Sequence, residues 1–398
     1  MDVLLLGLGT ILLLALLATA LAERTPLPRV TLLLLLGVIS GPPLLNLIPG
    51  TLVAHFGLIS ELTLLMVGFL IGGKLSHHSL THQGREVVLI SLAAALGTVT
   101  SVTLGLALMG LSWPLAMGLG CIAAATDPTA VLDVVDQFAA EGGPRRRCGD
   151  LLLGITALDD VWALLLFGLG LSMAVAVQGD GNPPLSALLW ACRDLGGGAL
   201  VGLGVGLPAA LLTGRIRAGQ PMLLEALGIV LLCGGLALHF EVSYLVAAMV
   251  MGAVVANLAR HHDVPFHAIE GIELPFMAVF FVLAGASLDL GSLGRIGAIG
   301  LAYGLLRGAG KVWGAAAGAR LAGSDPLTRR WVGAALLPQA GVAVGMALVV
   351  SEQLQDLSGA VLSIAIGSTV VFELVGPPLV RLALSRFRSG PDGALPAP

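Results

Sequence analysis

Charge is the scarcest commodity in this sequence. Of its 398 residues only 11% are Asp, Glu, Lys or Arg, about half the share found in an ordinary soluble domain. Cysteine is equally thin. The four present, Cys121, Cys148, Cys192 and Cys233, are scattered without metal-ligand spacing, which argues against a disulfide framework or a zinc site. The formal net charge is -4, with no basic excess, and that excludes the nucleic-acid binders. What fills the chain instead is hydrocarbon: 57% of residues are hydrophobic and mean hydropathy is +0.97. Apolar runs of helical length, one after another, leave the lipid bilayer as the solvent that fits. The 55 glycines agree, because membrane helices use small residues to approach one another closely.

Apolar blocks between polar breaks predict about thirteen transmembrane helices, near 3–22, 29–48, 56–73, 87–110, 114–136, 150–177, 186–213, 221–240, 242–259, 271–290, 296–321, 331–351 and 358–384. The first block lacks the basic start of a secretory signal and is long for one, so it reads as a first span. Basic residues support the odd count. With the N-terminus outside, the inward loops and tail collect most of the arginines, among them Arg145, Arg146, Arg147, Arg329, Arg330 and Arg386, while the outward loops keep only Arg295. That asymmetry is the positive-inside pattern, and it predicts a cytoplasmic C-terminus in an inner, bacterial-type membrane.

A repeat is also legible. "ELTLLMVGFLIGGKL" from Glu61 and "ELPFMAVFFVLAGASL" from Glu273 are 212 residues apart. The same offset lays "TDPTAV" on "PQAGVAV" and the fourth block on the eleventh. Seven spans between equivalent helices turn one copy upside down relative to the other. The expected architecture is therefore all-α and polytopic, with inverted-topology repeats over about 3–177 and 221–385 and a linker helix near 186–213. Residues 1–385 form one membrane unit, and 386–398 a short tail.

Ionisable groups inside spans are costly, so each one is a functional hypothesis. In "AAATDPTAV", Pro128 removes a backbone donor and breaks the helix beside Thr126 and Asp127. Pro338, with Gln339 and Gly341, makes the matching break in the second copy. Broken helices at matched positions near the midplane are where secondary carriers bind their ions. In "TALDDVW", Thr156 and Asp160 stand one turn apart on one face, with Asp159 about 100° away. A buried carboxylate able to hold either a proton or a small cation is the minimum apparatus for exchange. Asp160, Asp159, Thr126, Asp127 and Thr156 are thus the candidate ion- and proton-binding residues. Arg307 and Lys311, again one turn apart, need countercharge. Lys311 suits an aspartate that must sometimes let go, whereas a guanidinium stays charged. For Arg307 the sequence offers Glu273 or Glu373 as a structural partner. Glu61, Glu273 and Glu373 are possible accessory acids.

At these residues the sequence resembles the monovalent cation:proton antiporter-2 family, which holds bacterial sodium/proton antiporters and potassium-efflux carriers. The likeness rests on "LDDVW" at 158–162, Lys311, "FFVLAGASLDL" at 280–290 and "GVISGPPLLN" at 37–46, and it extends over nearly the whole chain. It implies a thirteen-helix fold with crossed broken helices, a separate dimerisation region and therefore a homodimer, and elevator-like alternating access. It further implies that Asp160 carries the metal ion (Na⁺) and the proton, while Asp159 pairs with Lys311. Two features depart from the pattern: "TDP" at 126–128 is commoner in the sister family of exchangers, and Lys74 stands where relatives often have an acid. The tail beyond Arg388 is too short for the nucleotide-sensing domain of the potassium-efflux members. The expected function is exchange of Na⁺, Li⁺ or K⁺ for H⁺, with those ions as cargo and no cofactor or catalytic group. The competing readings are a bile-acid-type sodium-coupled solute carrier and an intramembrane aspartyl protease using Asp127 and Asp160. The protease lacks its Gly-x-Gly-Asp signature.

Overall fold

The computed structural model describes residues 2–22, 25, 29–42, 44–74, 84–140, 148–180, 184–213, 223–259, 263–287, 290–339, 341–353 and 358–388. Among these residues the chain is helical throughout, in the order α1 (Asp2–Ala22), α2 (Arg29–Ser40), α3 (Gly50–Val53), α4 (Phe56–Lys74), α5 (Gly84–Leu108), α6 (Trp113–Ala124), α7 (Pro128–Ala140) and α8 (Cys148–Asp180). There follow α9 (Pro184–Leu212), α10 (Leu223–His239), α11 (Tyr244–Leu258), α12 (Asp263–Ala286), α13 (Leu290–Ala322), α14 (Pro326–Ala335), α15 (Gly341–Gln353) and α16 (Ser358–Arg388). Arg145, Arg146, Arg147 and the tail beyond Arg388 lie outside the described residues.

Seven helices are each long and apolar enough to cross a membrane: α1, α4, α5, α8, α9, α12 and α16. Their leucines point outward in numbers that water would not tolerate. Leu6, Leu13 and Leu200 are all about two-thirds exposed or more, as lipid-facing side chains are. Each block read in the sequence falls on a helix or on an interrupted pair, with α6–α7 and α14–α15 as the two pairs. Moving α4 through α8 along the chain by the repeat offset lays them, within several residues, on α12 through α16.

Backbones meet at glycine. In α13, Gly310, Gly314 and Gly318 recur every fourth residue and form one stripe, and that stripe lies on α5. A Cβ on Gly314 would collide with the carbonyl oxygen of Ala93, and one on Gly310 would stand 2.7 Å from the Gly97 oxygen. Gly37 of α2 and Gly285 of α12 likewise abut each other's backbones, at Val282 and Leu34. Those two glycines sit in the motifs at 37–46 and 280–290, so these motif glycines serve helix contact. Close approach lets α5 and α13 act as one wall, tied also by the Ser101 hydroxyl donating to the Leu306 carbonyl at 3.1 Å.

The start of α14 is fixed locally. Asp325 caps it by accepting from the N–H groups of Leu327 (2.9 Å) and Thr328 (3.0 Å), with Pro326 as the first helical residue. Partial burial pushes this carboxyl upward, but the hydrogen bonds from Thr328 and Leu327 outweigh it and hold its pKa below the usual aspartate value.

Filling the α5–α13 seam should be costly. Gly314→Leu is expected to lose about 1–3 kcal/mol by overpacking, read as a lowered melting temperature in detergent. Gly308→Ala, where a Cβ meets nothing within 4 Å, should melt like the wild type.

Candidate functional site

Two interruptions create the site. The apolar run of α6 ends at Ala124, and Ala125 leaves the helix in an extended conformation (φ -61°, ψ 137°). Thr126 and Asp127 bridge to Pro128, which can open α7 because the first helical residue needs no N–H donor. In the second pair, α14 stops at Ala335, Leu336 turns out (φ -98°, ψ 11°), and Pro338 lies inside the gap before α15. The interruptions touch: the Asp127 N–H donates to the Pro338 carbonyl at 3.0 Å. The Thr126 hydroxyl lies 3.2 Å from the Leu336 carbonyl and also against Asp159 Oδ2. It carries one proton, and the nearer, charge-bearing carboxylate is the better acceptor.

Beside this crossing runs α8, which brings "LDDVW" to it. Asp159 and Thr156 are fully buried and Asp160 is 1% exposed. Lys311, fully buried on α13, reaches across to Asp159 Oδ2 at 2.5 Å, and its ammonium also donates to the Ala124 carbonyl at 2.5 Å. One cation therefore neutralises a carboxylate and the negative end of the α6 dipole together. Asp159 Oδ1 has no hydrogen-bond partner among the described residues. Thr156 donates its hydroxyl proton to its own helix, at the carbonyls of Leu152 (3.0 Å) and Leu153 (3.1 Å). Its oxygen lone pairs stay available to a cation.

Arg307 departs from expectation. Sequence reasoning offered it a carboxylate, Glu273 or Glu373, because a buried guanidinium needs countercharge. The structure supplies carbonyls instead. One arm donates to Leu337 O at 2.8 Å; the other donates to Ala125 O at 3.0 Å and more weakly to Pro338 O at 3.5 Å. Beneath it lies the Phe372 ring, 4.2 Å from the guanidinium carbon. Glu373 turns to Asp127, with which it hydrogen-bonds. Both are buried, so two acids meet directly at the start of α7. Glu61 and Glu273 are only half-buried, unlike this group.

A polar network beside the second break was missed by sequence reasoning. The Gln339 side chain donates toward Ile122 O (3.4 Å) and Tyr303 Oη (3.5 Å) and accepts from the Ser368 hydroxyl (3.3 Å). No spacing rule links residues so distant in the chain; only Gln339, standing in a helix break, carried a hint. Cys121, Cys192 and Cys233 are free thiols.

Comparisons with known proteins give the site its context. The family described as "Sodium/hydrogen exchanger, transmembrane" matches residues 11–383. A subunit of the ammonium/H⁺ antiporter of Alkalihalophilus pseudofirmus, AmhT, is 24% identical over 288 residues, 71% of this chain and 70% of the relative. Among solved structures, the sodium proton antiporter MjNhaP1 of Methanocaldococcus jannaschii at pH 8 superposes with a TM-score of 0.76 at 20% identity, covering 97% of this chain and 99% of that one. An electron-microscopy structure of the same antiporter gives 0.66 at 21% identity, over 96% and 95% of the two chains. At such identities the superpositions speak for the fold.

The buried ion pair makes a direct prediction. Lys311→Gln strands Asp159 as an unpaired buried charge, at a cost of about 3–5 kcal/mol. Adding Asp159→Asn should restore much of the lost melting temperature, because the charge needing a partner is gone. A double-mutant cycle by thermal unfolding measures this; strictly additive losses contradict the pairing.

Proposed function

The chain belongs to the sodium/hydrogen exchanger family, and on that premise we propose that it exchanges Na⁺ for protons across a bilayer, with Asp160 as the carrier. Its family sets it among multi-pass membrane antiporters of monovalent cations and protons, not among enzymes. The observation that carries the finer reading is the fully buried Lys311–Asp159 pair, set beside Asp160 at the crossing of two interrupted helices.

The cycle follows from competition. Without cation, Lys311 neutralises Asp159, and Asp160 holds a proton. An arriving Na⁺ draws on the Asp160 carboxylate and the lone pairs of Thr156, which are hard oxygen ligands suited to a hard ion. Asp160 gives up its proton. Asp159, drawn to the new cation, releases Lys311, whose ammonium in apolar surroundings can shed a proton in turn. Two protons leaving for one cation entering would move net charge. The crossed helices then carry the occupied site from one face to the other as a unit, an elevator-like step, and the sequence runs in reverse.

Na⁺ leads because the family and the superposing solved antiporter are named for sodium. The curated relative is named for ammonium, so NH₄⁺ joins Li⁺ and K⁺ as a competing cargo. A homodimer, the two inverted repeats and an inner-membrane orientation with the N-terminus outside belong to the same reading. They are supported by the family resemblance, the repeat offset and the distribution of arginine.

The test is proton flux in reconstituted vesicles. Addition of Na⁺ should drive proton movement through the wild type, and Asp160→Asn should abolish it while leaving the protein folded. Undiminished Na⁺-driven flux in that variant removes Asp160 from its role. Running Li⁺, K⁺ and NH₄⁺ in the same vesicles ranks the cargo.

A further inference from the structure

Arg307 has no place in the exchange cycle just described, yet its side chain is among the largest that are wholly buried. Its acceptors say what it does. Ala125 follows the C-terminal end of α6, and Leu337 follows the C-terminal end of α14. Both ends carry the negative pole of a helix dipole, worth roughly half a charge each, and both carbonyls point at the one guanidinium, at 3.0 and 2.8 Å. A single full positive charge thus serves two half-charges from separate broken helices. The two nitrogens that do this are held in one plane by the guanidinium, so the span between the breaks is set by a rigid fork.

Lys311, one turn away on α13, is placed differently. It reaches only the first break, at Ala124 O, and spends its remaining strength on Asp159. If Lys311 were the only cation here, its release from Asp159 would disturb the helix end that it also holds. With Arg307 in place, both breaks keep a permanent countercharge while Lys311 comes and goes.

We propose that Arg307 is a positioning residue of the exchange site: it fastens the two helix breaks to each other as one rigid piece and so frees Lys311 to be displaced from Asp159 by the cation. The idea rests on the antiport reading above and adds a residue that touches neither ion nor proton. It predicts that the separation of the breaks, and with it the cation site, depends on the two-armed shape of residue 307 as well as on its charge.

Arg307→Lys tests this, since it keeps the charge but replaces two fixed nitrogens by one. In vesicles where the wild type exchanges and Asp160→Asn does not, the half-saturating Na⁺ concentration of Arg307→Lys should rise about tenfold, the worth of one charge-assisted hydrogen bond. Its melting temperature should stay near that of the wild type. Arg307→Gln, lacking the charge as well, should be further impaired. A merely structural residue would lower the yield of folded protein and leave half-saturation of the folded fraction unchanged; that result overturns the proposal. If Arg307→Lys does not fold, hydrogen exchange on the wild type decides. Amides over 122–127 and 335–339 should respond to Na⁺ together or not at all, and one break opening alone overturns the proposal. Absence of any exchange in the wild type would instead strike the antiport reading, before Arg307 is reached.

Discussion

Everything in the core answers to one constraint: charges taken out of water need partners that stay close. Lys311 and Asp159 meet with no solvent exposure on either side, in surroundings where an unpaired ion costs several kcal/mol. The interrupted helices are part of the same settlement. Their carbonyl ends supply negative poles to Lys311 and Arg307, and their amide ends supply positive ones, with Asp127 at the head of α7. Removing the breaks would take from both buried cations the backbone carbonyls that they donate to. The cations and the breaks therefore depend on each other.

Such a pair is strong enough to persist yet can be replaced. A carboxylate gains as much from a small cation as from an ammonium, provided oxygen ligands lie nearby. In the proposed cycle Asp160 and Thr156, one turn apart on α8, offer them. The close α5–α13 seam gives the reason why the cations stay in register: glycine brings the backbone of α13 against α5, so Arg307 and Lys311 project from a wall with little freedom to shift. Packing of small residues along α13 thereby sets where Lys311 and Arg307 stand against the breaks.

Much of this was legible in the sequence. Membrane solvent, helix positions and both breaks follow from composition and from two prolines, because apolar runs and missing N–H groups act locally. The burial of Asp159, Asp160 and Lys311 was legible because each stands inside an apolar run. What was hidden is pairing by backbone. Arg307 was expected to seek Glu273 or Glu373, since sequence displays side-chain charge but not carbonyls freed by a break. The Asp127–Glu373 contact and the Gln339–Tyr303–Ser368 network were hidden for a similar reason. They join residues on separate helices, from 29 apart for Ser368 and Gln339 to 217 for Gln339 and Ile122, and only the crossing brings them together. Gly37 and Gly285, in two motifs that carry the family resemblance, mark contact between α2 and α12.

The central claim is that one buried carboxylate group trades protons for a cation. Its most direct test is proton release on binding. Purified protein in weakly buffered detergent solution near neutral pH, titrated with NaCl against a choline chloride control, should acidify the medium in a saturable way, and Asp160→Asn should not. Saturable Na⁺ binding to the wild type with no accompanying proton release would contradict it.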